Sequence, residues 1–141
     1  MTELFHPTSE EAMVALGESL AARFRAPCLV FLTGNLGAGK TTLSKGIAKG
    51  LQAAQPEEVS SPTFTLIHEY GDPARLYHID LYRLDEPRQV ATLGLDEILD
   101  RQAVVLIEWP EKFAAFLPSP DVWIRISATA DGRSVAVEFR V

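Results

Sequence analysis

The chain has 141 residues, 47% of them hydrophobic and 23% charged. That is ordinary globular usage for one compact domain; it excludes a disordered, collagen-like or disulfide-stapled chain. The formal charge of -6 leaves no basic footprint for gripping a phosphate backbone unaided, so any role on nucleic acid is expected to run through a partner.

Across 10–24, Ala12, Met13, Leu16, Leu20, Ala21 and Phe24 recur at helical spacing. Ser9 is a natural N-cap, and Glu10 and Glu11 suit the positive end of that helix. After Pro27, the apolar run 28–33 reads as a strand buried on both faces. A glycine-rich loop at 34–39 leads into a helix over 40–51, then a loop over 52–62. Segments 64–70 and 75–82 read as two strands joined at Gly71-Asp72-Pro73. Short helical stretches over 86–100 break at Gly94, 103–107 is a second apolar strand, and 110–116 is a short helix ended by Pro118 and Pro120. Val122, Ile124, Ile126 and Ala128 alternate with polar positions, as do Val135, Val137, Phe139 and Val141. Between them lies Asp131-Gly132, a favoured two-residue turn, so the spacing predicts an antiparallel hairpin. The sum is an α/β fold: a single domain, 1–141, with a mixed β-sheet flanked by helices and a C-terminal β-hairpin. The apolar runs are too short to span a bilayer. The opening residues carry no basic segment followed by an apolar one, and Cys28 is the lone cysteine. A cytoplasmic, reducing location is therefore the expectation.

Gly34-Asn-Leu-Gly-Ala-Gly-Lys40-Thr41 matches the phosphate-loop pattern G-x-x-x-x-G-K-[ST], with a strand before it and a helix after it. A chance match in a chain of this length is about a 0.5% event at ordinary residue frequencies. Gly37, Ala38 and Gly39 are expected to turn backbone N–H groups toward phosphate oxygens, and the helix opening at Lys40-Thr41-Thr42 aims its positive end at the same place. Lys40 can reach the β- and γ-phosphates, and the Thr41 hydroxyl can ligate Mg²⁺. Glu108, at the carboxyl end of the second apolar strand, is the expected carboxylate for the metal water shell or for the attacking water. Asp80 is a second candidate for that line of work; otherwise it is a capping or ion-paired residue near Arg83. Ser61-Pro62-Thr63 could sense a γ-phosphate as a switch loop does, though alone it is an ordinary turn. Ser9 and Gly132 complete the expected nucleotide-contacting set, while Gly132-Arg133 taken by itself reads more readily as a plain turn. His6, His68 and His78 lack metal-ligand spacing and read as packing or surface groups. Trp109 and Trp123 read as core or rim aromatics.

Neither Asn-Lys-x-Asp nor Asp-x-x-Gly occurs, which favours adenine over guanine. Arg75, Arg83, Arg88, Arg101, Arg125, Arg133 and Arg140 are scattered and form no lid-like cluster of the kind a nucleotide kinase needs. Five motifs in order then carry a family resemblance: 34–43, 61–66 (Ser-Pro-Thr-Phe-Thr-Leu), 77–84 (Tyr-His-Ile-Asp-Leu-Tyr-Arg-Leu), 93–97 (Leu-Gly-Leu-Asp-Glu) and 106–112 (Leu-Ile-Glu-Trp-Pro-Glu-Lys). Over about 34–118 the chain resembles the TsaE (YjeE) family, the bacterial ATPase of tRNA threonylcarbamoyladenosine synthesis. One departure is Asn35, where the family often has Asp; it removes one negative charge beside the phosphates. The resemblance implies a small P-loop α/β domain that binds and hydrolyses ATP with Mg²⁺ while docked on the TsaB–TsaD heterodimer. TsaD modifies the adenosine next to the tRNA anticodon, so tRNA is reached only indirectly. By position, Lys40 would hold phosphate, Thr41 and Glu108 would hold Mg²⁺, Asp80 would assist hydrolysis, and 61–63 would be the nucleotide-sensitive loop. Two other function classes remain: a nucleotide-dependent assembly switch with incidental hydrolysis, and a small-molecule kinase.

Overall fold

The computed structural model describes residues 2–35, 37–62 and 66–140. Strand β1 (Thr2–Phe5) is followed by helix α1 (Glu10–Ala21), strand β2 (Cys28–Thr33) and helix α2 (Lys40–Gly50). A 3-10 turn at Pro56–Glu58 precedes the antiparallel pair β3 (Ile67–Gly71) and β4 (Ala74–Asp80). Helices α3 (Pro87–Ala91) and α4 (Leu95–Leu99) lead into β5 (Val104–Glu108). A 3-10 stretch at Pro110–Phe116 then leads to the hairpin β6 (Val122–Thr129) and β7 (Gly132–Phe139).

Among the described residues the strands form one mixed sheet in the order β1-β7-β6-β2-β5-β4-β3. The middle strands β6, β2, β5 and β4 are parallel, and the outer pairs are antiparallel. The apolar run of β2 makes sense at the centre of such a sheet, because successive side chains point to opposite faces and both must be covered. Val30 and Leu32 pack with Met13, Leu20, Leu43 and Ile47 of α1 and α2. Leu29 and Phe31 pack on the other face with Val90, Ile98 and Phe113. Two glycines set the approach of the helices: a Cβ on Gly17 would lie 2.4 Å from the Leu43 carbonyl oxygen, and one on Gly46 would lie 2.1 Å from that of Val14. With backbones in contact, α2 is held at one height over the sheet, and its first residue is Lys40.

Several boundaries differ from the sequence expectation. Helix α1 ends at Ala21, short of 24, because Arg23 and Phe24 donate to Leu20 and Ala21 in i→i−3 bonds; the tightened turn still buries Phe24. The expected helix over 40–51 ends at Gly50, with Leu51 as its C-cap. Strand β4 stops at Asp80, whose carboxylate accepts the Tyr82 N–H at 2.9 Å and turns the chain. Of the strand expected over 64–70, Ile67 onward is strand, and Phe64 and Thr65 lie outside the described residues. Strand β1 was not expected at all. Four residues are too few for a periodic signal, and its place depends on partners far along the chain: the β7 edge, a paired Arg23–Glu3 contact, and Arg23 lying 4.1 Å from the Phe139 ring centre. The C-terminal turn is one residue earlier than predicted. Thr129 pairs with Gly132, so Ala130 and Asp131 form the link and Gly132 begins β7. What glycine provides there is room: a Cβ would sit 2.8 Å from the Pro7 carbonyl oxygen. The hairpin does bury one face through Val122, Ile124, Ile126, Val135 and Val137, while Ala128 is exposed and Val141 lies outside the described residues.

Candidate functional site

Because β2, β4 and β5 are parallel, their carboxyl ends meet at one rim of the sheet. A cavity of about 760 Å³ opens there, where open α/β sheets bind ligands. Its floor is the loop between β2 and α2. Gly37 (φ 79°) and Gly39 (φ 109°) adopt the left-handed conformation that favours glycine. At Gly37 conformation alone makes the demand, since a Cβ would meet nothing within 4 Å. Gly39 is the N-cap of α2 and offers no side-chain cap, so the start of that helix is open to an external anion.

Lys40 is largely buried at this floor. Its Nζ donates to the Gly34 carbonyl at 2.7 Å and lies 3.9 Å from the centre of the Trp109 ring. Burial lowers its pKa, and the opposing charges of Glu108, Asp80 and Glu111 only partly restore it. Trp109 reaches this position from a left-handed backbone (φ 59°) just past β5, with Tyr82 packed beside it at 4.9 Å between ring centres.

The acidic wall follows from strand alternation and register. On β4, Leu76, His78 and Asp80 share the face toward α1 and α2; on β5, Val104, Leu106 and Glu108 share it. Asp80 is directly opposite Glu108 in the parallel ladder. Burial and the neighbouring Glu108 charge raise the Asp80 pKa, against the Tyr82 N–H, His78 and Lys40, which lower it. Ser61 Oγ donates to Asp80 Oδ2 at 3.4 Å. His78 Nε2 donates to Glu108 Oε2, both groups being buried. An ionised carboxylate can only accept, so Nε2 carries the proton of this bond; among the described residues the buried His78 Nδ1 has no hydrogen-bond partner. His78 thus fixes one oxygen of Glu108 and leaves the other for the cavity that Glu108 lines.

Ser9, Gly37, Gly39, Lys40, Thr41, Thr42, Ser61, Asp80, Glu108 and Gly132 all line this one cavity. Ser9 does so while accepting the Ala12 N–H at 3.0 Å as the cap of α1, and its hydroxyl proton is left to donate. Ala38 instead packs into the core, Pro62 is buried, and Thr63 lies outside the described residues. Two partners were missed. By its spacing His78 reads as a packing or surface group, although its alternation with Asp80 places both on one strand face. Gly132-Arg133 reads from sequence as a plain turn, yet the Arg133 guanidinium donates to the Ala38 carbonyl at 2.9 Å and to that of Gly37 at 3.3 Å, 95 and 96 residues away in sequence. No local signal could have found it. Trp123 stays outside the cavity, edge-on to Phe31 and donating to Thr33 Oγ1 at 3.4 Å.

A phosphate-loop cradle facing two strand-end acids is common to many nucleotide-binding folds, so the family has to come from the whole chain. The family model Threonylcarbamoyl adenosine biosynthesis protein TsaE matches residues 7–135. The chain belongs to the TsaE family. It is 40% identical over 136 residues to the tRNA threonylcarbamoyladenosine biosynthesis protein TsaE of Nostoc sp., covering 92% of this chain and 78% of that relative. It is 40% identical over 122 residues to the Bacillus subtilis TsaE (86% and 75% covered) and 39% identical over 108 residues to the Haemophilus influenzae TsaE (76% and 67% covered). The crystal structure of Bacillus subtilis YdiB superposes with a TM-score of 0.75 at 33% identity, covering 97% of this chain and 84% of the other. This TsaE-family chain therefore belongs to a family of tRNA threonylcarbamoyladenosine biosynthesis and shares its α/β fold with a solved relative. Among its described residues, no helix is long and apolar enough to cross a membrane.

Proposed function

We propose that this chain binds ATP with Mg²⁺ and hydrolyses it while docked on the TsaB–TsaD heterodimer, supporting threonylcarbamoyl modification of the adenosine beside the tRNA anticodon in the cytoplasm. The observation that supports this best is the convergence of Lys40, Thr41, Asp80 and Glu108 on one cavity with a glycine cradle at its floor. The donor set suits magnesium. Among the described residues no cluster of three or more His, Cys, Asp or Glu forms a protein cage. A hard cation that keeps several waters and shares substrate phosphates needs only a hydroxyl and one or two carboxylates. Thr41 and Glu108 would hold it, and its charge would help neutralise the β- and γ-phosphate oxygens.

The chain's own groups do the rest. Lys40 exchanges the Gly34 carbonyl for phosphate oxygens, trading a neutral acceptor for a charged one. Ser9 and Gly132 line the cavity beyond the phosphate loop and contact the remainder of the nucleotide. Asp80, its basicity increased by burial, orients the attacking water and takes its proton at Oδ2. The Ser61 hydroxyl on that oxygen links the 61–63 loop to the reacting centre. Arg133 is committed to loop carbonyls, and the formal net charge of -6 offers tRNA no direct grip, which is why turnover and the route to RNA should both depend on protein partners. The test is steady-state phosphate release by the protein alone, with tRNA alone, and with TsaB–TsaD. Slow release in the first two and stimulation in the third is expected. Full activity of the isolated chain, or stimulation by tRNA without the heterodimer, overturns the partner-dependent reading. Flat release with nucleotide-dependent assembly would indicate a switch, and transfer of label to a small molecule a kinase.

A further inference from the structure

We infer that Arg133 is a positioning residue of the phosphate loop, tying the Gly37 and Ala38 carbonyls to the tip of the β6–β7 hairpin so that the loop is shaped for phosphate before nucleotide arrives. The inference deepens the nucleotide-binding proposal and rests on it.

The loop needs such a tie. Gly37 and Gly39 have the greatest backbone freedom of any residue type; Ala38 between them is held by the core, but the space a Cβ would take at Gly37 is open, so packing does little to set the peptide there. Arg133 supplies the missing constraint from outside. Its Nε donates to Ala38 O at 2.9 Å and its NH2 to Gly37 O at 3.3 Å. A trans peptide unit is planar, so pinning a carbonyl also fixes the N–H on its opposite edge. The Gly37 contact braces the peptide whose other edge is the Ala38 N–H, which closes a turn onto Asn35 O at 3.0 Å. The Ala38 contact likewise fixes the direction of the Gly39 N–H at the mouth of α2.

The anchor is itself rigid. The Arg133 backbone N–H donates to Pro7 O at 3.1 Å, NH1 donates to Gly132 O at 3.1 Å, and Arg133 is in register with Ala128 on β6. Gly132 presses against the Pro7 and Thr8 backbone, where a side chain would not fit. The hairpin tip, Pro7 and the phosphate loop therefore meet at one arginine, Pro7 through the arginine's backbone N–H and the loop through its guanidinium. Other arginines of the described residues, Arg23, Arg101 and Arg125 among them, pair with carboxylates, while no ion pair of the described residues includes Arg133. Its donors go to main-chain carbonyls. A planar fork presents Nε and NH2 to two of these at a fixed spacing; a shorter lysine side chain ends in a rotating point charge that sets no such spacing.

That difference separates a clamp from a charge that simply attracts phosphate. In Arg133→Lys the charge survives and the fork is lost; in Arg133→Ala both are lost. The clamp predicts that both variants weaken ADP binding about tenfold by calorimetry. It also predicts that both speed hydrogen exchange of the 37–39 amides in the nucleotide-free protein, with the exchange of β2 and β5 unchanged. Near wild-type ADP affinity in Arg133→Lys, or unchanged loop exchange in both variants, would overturn it. Should Arg133→Ala fail to fold, Arg133→Lys carries the test through the same two measurements. If the wild-type protein itself fails to bind ADP, the nucleotide proposal falls, while the exchange comparison still decides whether the clamp exists.

Discussion

Replacing Gly46 with alanine places a methyl group where the α1 backbone already sits. Its Cβ would lie 2.1 Å from the Val14 carbonyl oxygen, whereas real Cβ atoms essentially never come closer than 3.0 Å, so the helices must part by about 0.9 Å. The obstacle is backbone inside a helix and cannot rotate aside. Overpacking of this kind costs about 1–3 kcal/mol, and here the upper part of that range applies. Against it stands a gain of about 1 kcal/mol from the better helix propensity of alanine. A net loss of about 2 kcal/mol follows, or about 6 °C in Tm for a chain of this size. The shift also carries Lys40 and Thr41 with it, and a displacement of about 1 Å at a reacting centre can cost on the order of 100-fold in rate. Thermal and urea melts by circular dichroism, with ATP turnover measured well below Tm, test both parts. Lys49→Ala on the same helix is the control. Lys49 is exposed and pairs with Glu18 at 3.3 Å, so its loss should cost under about 1 kcal/mol. A Gly46→Ala protein as stable as wild type, or more stable as propensity alone would make it, refutes the close helix packing.

Lys40→Ala should weaken ATP binding about 10–100-fold, the range for a lost charged hydrogen bond, without loss of fold; wild-type affinity by calorimetry would remove Lys40 from the phosphate site. Glu108→Gln should lower turnover about 100-fold and raise the magnesium concentration needed for half-maximal rate, with nucleotide affinity reduced less than in Lys40→Ala; normal turnover would leave Asp80 as the metal candidate. Asp80→Asn should lower turnover about 100-fold with binding spared. It should also melt higher than wild type near neutral pH. The Asp80 carboxyl is held above its ordinary pKa, mainly by burial, so the native state binds its proton more tightly than the unfolded chain does. Stability from this group is therefore lost as pH rises from the ordinary value of 3.8 through the raised one, and the advantage of Asn should fade on acidification through that window; a variant that melts lower at pH 7 contradicts this. Adding ATP and Mg²⁺ should change tryptophan emission through Trp109, whose ring lies against Lys40; the change should vanish in Trp109→Phe and persist in Trp123→Phe, and the reverse would place the site nearer the hairpin.

Those residues divide cleanly by where their information lies. Strand β2, the glycine loop and the start of α2 were legible because each is a local pattern: an apolar run, glycines where φ must be positive, and a helix opening on Lys40. The same holds for Asp80 and Glu108, since a strand that ends on an acid declares which end of the sheet is chemical. The α/β class and the C-terminal hairpin follow from period alone, and the hairpin turn was misplaced by one residue because Ala130-Asp131 carries no strong turn signature. Tertiary structure decided the rest. That His78 grips Glu108 depends on β5 being inserted beside β4 in one register, and a slip of one residue would send the two side chains to opposite faces. That β1 forms at all depends on the β7 edge, and that Arg133 holds the phosphate loop depends on β6 docking beside β2. Local propensity acts over a few residues, while hydrogen bonds between residues 30 to 96 positions apart exist only once packing has brought their strands together.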